Sequence, residues 1–483
     1  MSEKNLKQNI VSGMFWKFAE RGFGQGVSFV VSLILARLLM PDDYGIVAIV
    51  NIFITIADVF LTSGLGASLI QKKEVTQLEF STIFYCNLIL GLLLYLLLFY
   101  AAPLIAKIYK IELLTPIIRV FALRLPISAI QSIQIAHISR NMQFRRLFFS
   151  TISGTAVSAA VGIWMAYHNY GAWALVTQTL VNVFINTVVL SFTVKWRPTR
   201  QFSFATVKPL INYGWKFMTT DLIGTVFNQL SSMVIGFRYT TSDLAYFTKG
   251  RSFPQLARDN ILATLVGVLF PAISSVGDEF DEVKKIARRT ITTTSFLIYP
   301  MMFGMIGVSR NMVIVLITEK WLPSVPFILI FCVESMMSVI GTISHLSIKA
   351  IGRSDITLKM EFVKKPVYVL FLLIGIRFGP LAIALAILAT GLFETALNGF
   401  YTHKLIDYGF WEQIRDCLKP LLASTIMYVC IMLVDNVGLP PISALVMQIV
   451  IGVAVYLGIA ILTKDESFHF LCEIIRGKLL HKA

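Results

Sequence analysis

The sequence predicts an all-α polytopic membrane protein of about fourteen transmembrane helices: two pseudo-repeated six-helix lobes plus two additional C-terminal helices. Three observations predict this. Apolar residues make up 56% of the 483 residues and charged residues only 14%, with a mean hydropathy of +0.74, against about 45–50% and about 25% in a soluble domain. A single soluble core stops growing near about 250–300 residues, so the surplus must face lipid. Apolar runs of about 18 residues or more, the length that crosses a hydrocarbon core about 30 Å thick, recur along the whole chain between charge, proline and glycine clusters. The basic residues also alternate from loop to loop. With the N-terminus inside, 27 of the 42 Lys and Arg fall in inner segments and nine in outer loops, the bias that retained cytoplasmic charge produces. The formal charge of +15 therefore calls for no nucleic acid, and both termini are expected in the cytoplasm.

The first run, 14–36, is amphipathic: Lys17, Glu20, Arg21, Gly24, Gln25, Ser28 and Ser32 fall at helical spacing on one face. It lacks a small-residue cleavage end and is expected to be retained as a span. Pro41 and Gly45 set the turn into the second run, 44–66, with Asp42 the expected cap; Asn51, Thr55, Asp58 and Thr62 line one face of it. Runs at 81–102, 113–135, 148–167 and 172–194 complete six spans. The second set runs 209–236, 252–276, 290–317, 323–347, 360–378 and 380–402, followed by 418–435 and 441–463. The seventh repeats the polar stripe with Lys216, Thr220, Gly224, Asn228 and Ser231. The acidic-basic segment 277–289 reads as an amphipathic inner loop helix.

A repeat appears at an offset of about 200 residues. Trp16-Lys17-Phe18, Arg37 and Asp43-Tyr44-Gly45 recur as Trp215-Lys216-Phe217, Arg238 and Asp243-Leu244-Ala245. The stretch 136–146 is echoed by 344–354, with His137 matching His345. The expected domains are an N-lobe over 1–200, a C-lobe over 201–410, and the last two spans with a cytoplasmic tail over 411–483. Parallel repeats of this kind mark transporters, with the substrate site expected at mid-membrane between the halves.

Ionisable side chains inside spans are costly and are functional candidates. The basic ones are Lys17, Arg21, Arg119, Arg124, Lys216 and Arg258; the acids are Glu20, Asp58, Asp221, Asp259, Glu334, Glu361 and Glu394. Arg124 is the deepest cation, about 16 Å into its span at about 1.5 Å per residue, in a stripe with Ser128, Gln131 and Ser132. A guanidinium there needs either a carboxylate, Asp58 or Glu20, or an anionic ligand; its planar fork suits phosphate oxygens. Arg21 and Arg258 are the other leading anion contacts, while Arg119, Lys17 and Lys216 lie nearer span ends, where snorkelling is an equal explanation. Asp58, Glu334 and Glu394, with Glu20 and Asp221 as further candidates, would carry a coupling ion or simply pair with cations. The five cysteines and six histidines show no disulfide framework and no metal-ligand spacing. The chain has no P-loop, no H-E-x-x-H and no G-x-S-x-G, and no outer loop long enough for a catalytic domain, so no enzyme and no bound cofactor are expected.

The segments SLILARLLMPDDYGIVAIV (32–50), GLGASLIQKKEVTQLEFSTIFYCNL (64–88) and SRNMQFRRL (139–147) closely resemble the polysaccharide transporters of the multidrug/oligosaccharidyl-lipid/polysaccharide exporter (MOP) superfamily. Within it the chain is most similar to the Wzx-like flippases of O-antigen, colanic acid and teichuronic acid. The resemblance implies a flippase in the bacterial inner membrane that moves undecaprenyl-pyrophosphate-linked oligosaccharide between leaflets by alternating access. It also implies cavity cations on the pyrophosphate, helices 13 and 14 guiding the lipid tail, coupling to an H+ or Na+ gradient, and polymerase or ligase machinery as partners. A cation-coupled multidrug-type antiporter of the same fold and a membrane glycan polymerase or ligase are the alternatives.

Overall fold

The protein is described by a computed structural model over residues 3–63, 69, 75–276 and 279–480. Among the described residues every regular element is helical. The first seven helices are α1 (Glu3–Leu38), α2 (Pro41–Thr62), α3 (Gln77–Tyr109), α4 (Leu114–Phe121), α5 (Arg124–Arg140), α6 (Phe144–Tyr167) and α7 (Ala172–Thr193). Then come α8 (Phe204–Arg238), α9 (Thr241–Ser275) and α10 (Phe280–Ile317), and, after a 3-10 turn at Glu319–Ser324, α11 (Val325–Ala350), α12 (Ser354–Gly375) and α13 (Pro380–Ile406). The short α14 (Phe410–Asp416) leads to α15 (Leu418–Asp435), α16 (Pro441–Leu462) and α17 (Glu466–Leu480).

Among the described residues, eleven segments are long and apolar enough to cross a membrane, with Leu114–Arg140 taken across its break. The three other expected spans, 14–36, 209–236 and 360–378, are helical as α1, α8 and α12. They fall short of that hydropathy because they hold the polar stripes: Lys17, Glu20 and Arg21; Lys216 and Asp221; Glu361, Lys364 and Lys365. The expected loop helix at 277–289 forms the first turns of α10 from Phe280; residues 277–278 lie outside the described residues, as do 64–68 and 70–74 of the resembling segment 64–88.

The chain packs into two compact units, one ending at Ala245 and one beginning at Tyr246, so α8 packs within the first. In that unit α6 packs on α1 and α7, α3 on α5, and α2 on α5 and α8. The α2 start shows why Gly45 is needed there: a Cβ would lie 1.9 Å from the Thr241 carbonyl oxygen. The cap expected of Asp42 belongs to Asp43, whose carboxylate accepts the Met40 N–H at 3.0 Å. A side chain at the third helical position reaches back to the exposed donor before the helix, which Asp42, one residue earlier, does not do. Asp42 instead accepts from the Thr241 and Ser242 hydroxyls at 2.5 and 2.7 Å. The start of α9 repeats the device, with Asp243 accepting the Thr240 N–H at 3.2 Å.

In the second unit α10 packs against α11, α15 and α16, and α13 against α11 and α12. Tyr456 on α16 donates to the Phe296 carbonyl at 2.8 Å within an apolar cluster that includes Met427 and Ile431. Buried Gln413 on α14 donates to the Thr402 hydroxyl at 3.0 Å and accepts from Ser344 at 3.1 Å, tying the short helix to α13 and α11.

Candidate functional site

Arg124 does not sit inside a continuous helix. The fourth span breaks at Ala122–Leu123, and Arg124 is the first residue of α5. Pro126 explains the break: it has no N–H to give the carbonyl four residues back, and its ring crowds that carbonyl. The Ala122 carbonyl is taken instead by the Leu125 N–H at 2.9 Å. The side chain so placed meets Asp58 of α2, with Nη2 to Oδ2 at 2.9 Å and side-chain exposures of 29% and 17%. The pair uses one atom from each side. Arg124 Nε and Asp58 Oδ1 are buried without a hydrogen-bond partner, so the pair retains unused donor and acceptor capacity. The same two helices, α2 and α5, are also linked through Asn87 of α3, which donates to the Leu61 carbonyl at 3.2 Å and to the Ser132 hydroxyl at 3.0 Å.

The second unit holds a counterpart. Arg258 of α9 bonds Glu334 of α11 through Nη1, at 2.9 Å to Oε2 and 3.3 Å to Oε1. Its Nε bonds Asp259 at 2.9 Å. Glu394 of α13 lies in the electrostatic field of Glu334 and of Lys364 and Lys365 on α12. Lys364 is almost wholly buried, at 5% side-chain exposure, with Glu361 at 4.0 Å.

The remaining candidates are not gathered at these pairs. Lys17 lies 5.2 Å from the Phe144 ring, and Glu20 accepts from the Thr151 hydroxyl at 3.1 Å. Arg119 lies over the Phe99 ring at 4.4 Å and donates to the Phe99 carbonyl at 3.3 Å. Arg21, Lys216 and Asp221 are exposed and, among the described residues, make no ion pair. The leading arginines therefore divide: Arg124 and Arg258 are carboxylate-bound, and Arg21 makes no ion pair among the described residues.

Sequence reasoning did not single out Asn87, one amide in an apolar run, nor a cluster in which the Asp435 carboxylate accepts from Asn311 at 3.2 Å and Gln448 at 2.9 Å. Gln448 alone in an apolar 22-residue helix was the available signal. Nor did it find the groove of about 580 Å³ between α10, α15 and α16, whose walls include Pro300, Met301, Met427, Ile431 and Val453. Chemically, each charged pair offers a partly buried guanidinium held by a carboxylate.

Residues 34–326 match the model of the family described as "Polysaccharide biosynthesis protein". The lipopolysaccharide biosynthesis protein WzxC of Escherichia coli is 22% identical over 82% of this chain and 81% of its own. The teichuronic acid biosynthesis protein TuaB of Bacillus subtilis is 20% identical over 73% of each chain. Among solved structures, the lipid II flippase MurJ in an inward closed conformation superposes with a TM-score of 0.75 at 16% identity, covering 94% of this chain and 99% of MurJ. An inward-facing MATE family transporter of the MOP superfamily gives 0.65 at 16% identity, covering 79% of this chain and 94% of its own. The fold is the one these transporters share, and the chain, matched by the family model over more than half its length, belongs to the polysaccharide biosynthesis protein family.

Proposed function

We propose that this protein is a flippase that moves an undecaprenyl-pyrophosphate-linked oligosaccharide from the inner to the outer leaflet of the bacterial plasma membrane by alternating access. The carrying observation is the family match over residues 34–326, supported by relatives named for lipopolysaccharide, succinoglycan and teichuronic acid biosynthesis. The positive-inside count of 27 to nine basic residues supports cytoplasmic termini.

The residues divide the work by chemistry. Arg124 in the first unit and, separately, Arg258 in the second can each exchange its acid, Asp58 or Glu334, for phosphate oxygens of the pyrophosphate, which the planar guanidinium takes bidentately. Arg21, exposed and without an ion pair among the described residues, makes the first contact; Lys17, Arg119 and Lys216 contribute field rather than fork geometry. The released carboxylates, Asp58 and Glu334, with Glu394 beside Lys364, then bind the coupling H+ or Na+, and Glu20 and Asp221 are secondary candidates. The groove of α10, α15 and α16 accommodates the polyprenyl chain, since its lining is almost entirely apolar. The step moves a lipid without breaking a bond. The glycan delivered outside passes to polymerase or ligase machinery.

The test is the leaflet distribution of lipid-linked oligosaccharide in cells depleted of this protein, with and without a complementing copy. Accumulation on the cytoplasmic side, relieved by the copy, supports flipping; normal sidedness with loss of polymer moves the function downstream to polymerisation or ligation.

A further inference from the structure

We propose that a basic cavity in the second unit, apart from the Arg258–Glu334 pair, binds the phosphate of an anionic membrane phospholipid. The cavity has a volume of about 580 Å³ and lies where the start of α10, α14, the start of α15 and the start of α17 meet. Five cations line it, Lys285, Arg288, Arg289, Arg415 and Lys419, against the acids Asp416, Asp465 and Glu466.

Two of the three acids are already used. Asp416 accepts from Arg288 at 2.6 Å with one oxygen and from the Tyr408 hydroxyl at 2.9 Å with the other. Asp465 caps α17, its Oδ1 accepting the Ser467 and Phe468 N–H groups at 2.9 and 3.3 Å. Three of the cations have no ion-pair partner: among the described residues Arg289, Arg415 and Lys419 make no ion pair, and all three are exposed. Arg289 is instead held 3.9 Å from the Phe470 ring, a contact that fixes the guanidinium without supplying an anion. Unpaired cations converging on a hollow at the end of membrane helices attract a phosphate.

The surroundings favour a lipid over a free ion. Lys419, Pro420 and Asp465 also line an adjoining groove of about 230 Å³ whose further walls include Leu422, Ala423, Ile426 and Ile459. A phosphate seated among the cations therefore has an apolar channel beside it for an attached chain. This end of the helices is also the one where basic residues accumulate, and anionic headgroups concentrate at such a surface. The inference does not depend on what the protein transports.

The full-length protein, purified and stripped of lipid, is titrated with phosphatidylglycerol, phosphatidylcholine and inorganic phosphate and the bound species are counted by native mass spectrometry. Phosphatidylglycerol is expected to bind in preference to phosphatidylcholine, with its Kd rising about fivefold for each of Arg289→Gln, Arg415→Gln and Lys419→Gln, and about a hundredfold for the three together. The charge-keeping Arg415→Lys and Lys419→Arg variants retain affinity, which separates charge from fold. An unchanged Kd in the triple variant overturns the site, and displacement of the lipid by equimolar inorganic phosphate overturns the lipid assignment.

Discussion

Asp58 and Arg258 occupy the same position in corresponding helices and carry opposite charge. Each lies seventeen residues after the first residue of its helix, Pro41 in α2 and Thr241 in α9. Each is bonded at 2.9 Å to an opposite charge two spans further along the chain, Asp58 to Arg124 and Arg258 to Glu334. The repeat thus preserves a charged link between its second and fourth spans while inverting which side carries the cation. An anion that opens a link meets an arginine of the fourth span in the first half and an arginine of the second span in the other.

That inversion gives a charge-swap test. Arg124→Gln is expected to abolish flipping while the protein still inserts. The double variant Asp58→Arg with Arg124→Asp, which copies the polarity of the second half, restores the link and protein yield but not transport, because the guanidinium now projects from α2. Full transport by the swapped variant, measured by leaflet distribution, would reduce the pair to a structural role.

The two pairs also differ in redundancy. Arg124 has one acid partner and Arg258 has two, the second being Asp259. Asp58→Asn leaves a partly buried guanidinium without a counter-charge and is expected to cost about 3 kcal/mol, near the lower end for breaking a buried pair. Glu334→Gln leaves Arg258 on Asp259 and is expected to cost about 1 kcal/mol, close to an exposed pair. Thermal unfolding of the two detergent-solubilised variants ranks them, and equal losses would contradict the account.

Coupling is separable from binding. If Asp58 carries the coupling ion, Asp58→Asn, assayed at matched protein level, removes the dependence of flipping on the imposed gradient. An unchanged dependence excludes Asp58 and leaves Glu334 and Glu394.

Much of this was legible because bilayer physics writes itself into sequence at long range. Hydropathy marks spans, and the cost of mid-membrane charge marks Arg124, Asp58, Arg258 and Glu334 without any structure. The pairing of Arg124 with Asp58 was one of three readings, beside Glu20 and an anionic ligand, since spacing along a chain does not say which span faces which. The helix break at Ala122–Leu123 was hidden because residues 113–135 read as one span-length run, through which Pro126 was passed over. The cap moved from Asp42 to Asp43 because one residue decides whether a carboxylate reaches the Met40 N–H or the Thr241 and Ser242 hydroxyls. Cavities such as the groove beside α16 arise from how three helices diverge, which no single helix records.

Backbone approach at the α2 start predicts a steep contrast among glycines. In Gly45→Ala the new methyl meets the Thr241 carbonyl oxygen at 1.9 Å, a backbone atom fixed by α9. The expected loss is about 3 kcal/mol, the top of the usual overpacking range. A methyl at Gly22 of α1 would have nothing within 4 Å of it, so Gly22→Ala is expected to be neutral or to gain up to about 1 kcal/mol from helix propensity. Thermal unfolding of the pair distinguishes them, and similar melting would mean that the α2 start and Thr241 do not approach this closely.

The groove makes the last prediction about the lipid chain. Val453 of α16 lines it and is 55% exposed, so a larger side chain there occupies the groove instead of wedging the core apart. Val453→Trp is therefore expected to leave yield and melting within about 0.5 kcal/mol of the parent, as for substitutions at exposed sites. It is also expected to slow flipping of the long-chain substrate by about tenfold or more. A substrate analogue with a shortened prenyl chain, which does not fill the groove, should be flipped equally by parent and variant. The comparison matters because a general defect slows both substrates alike, whereas a blocked tail path slows only the long one. Equal slowing of the two would remove the groove from the transport path and leave it a lipid-filled seam between α10 and α16.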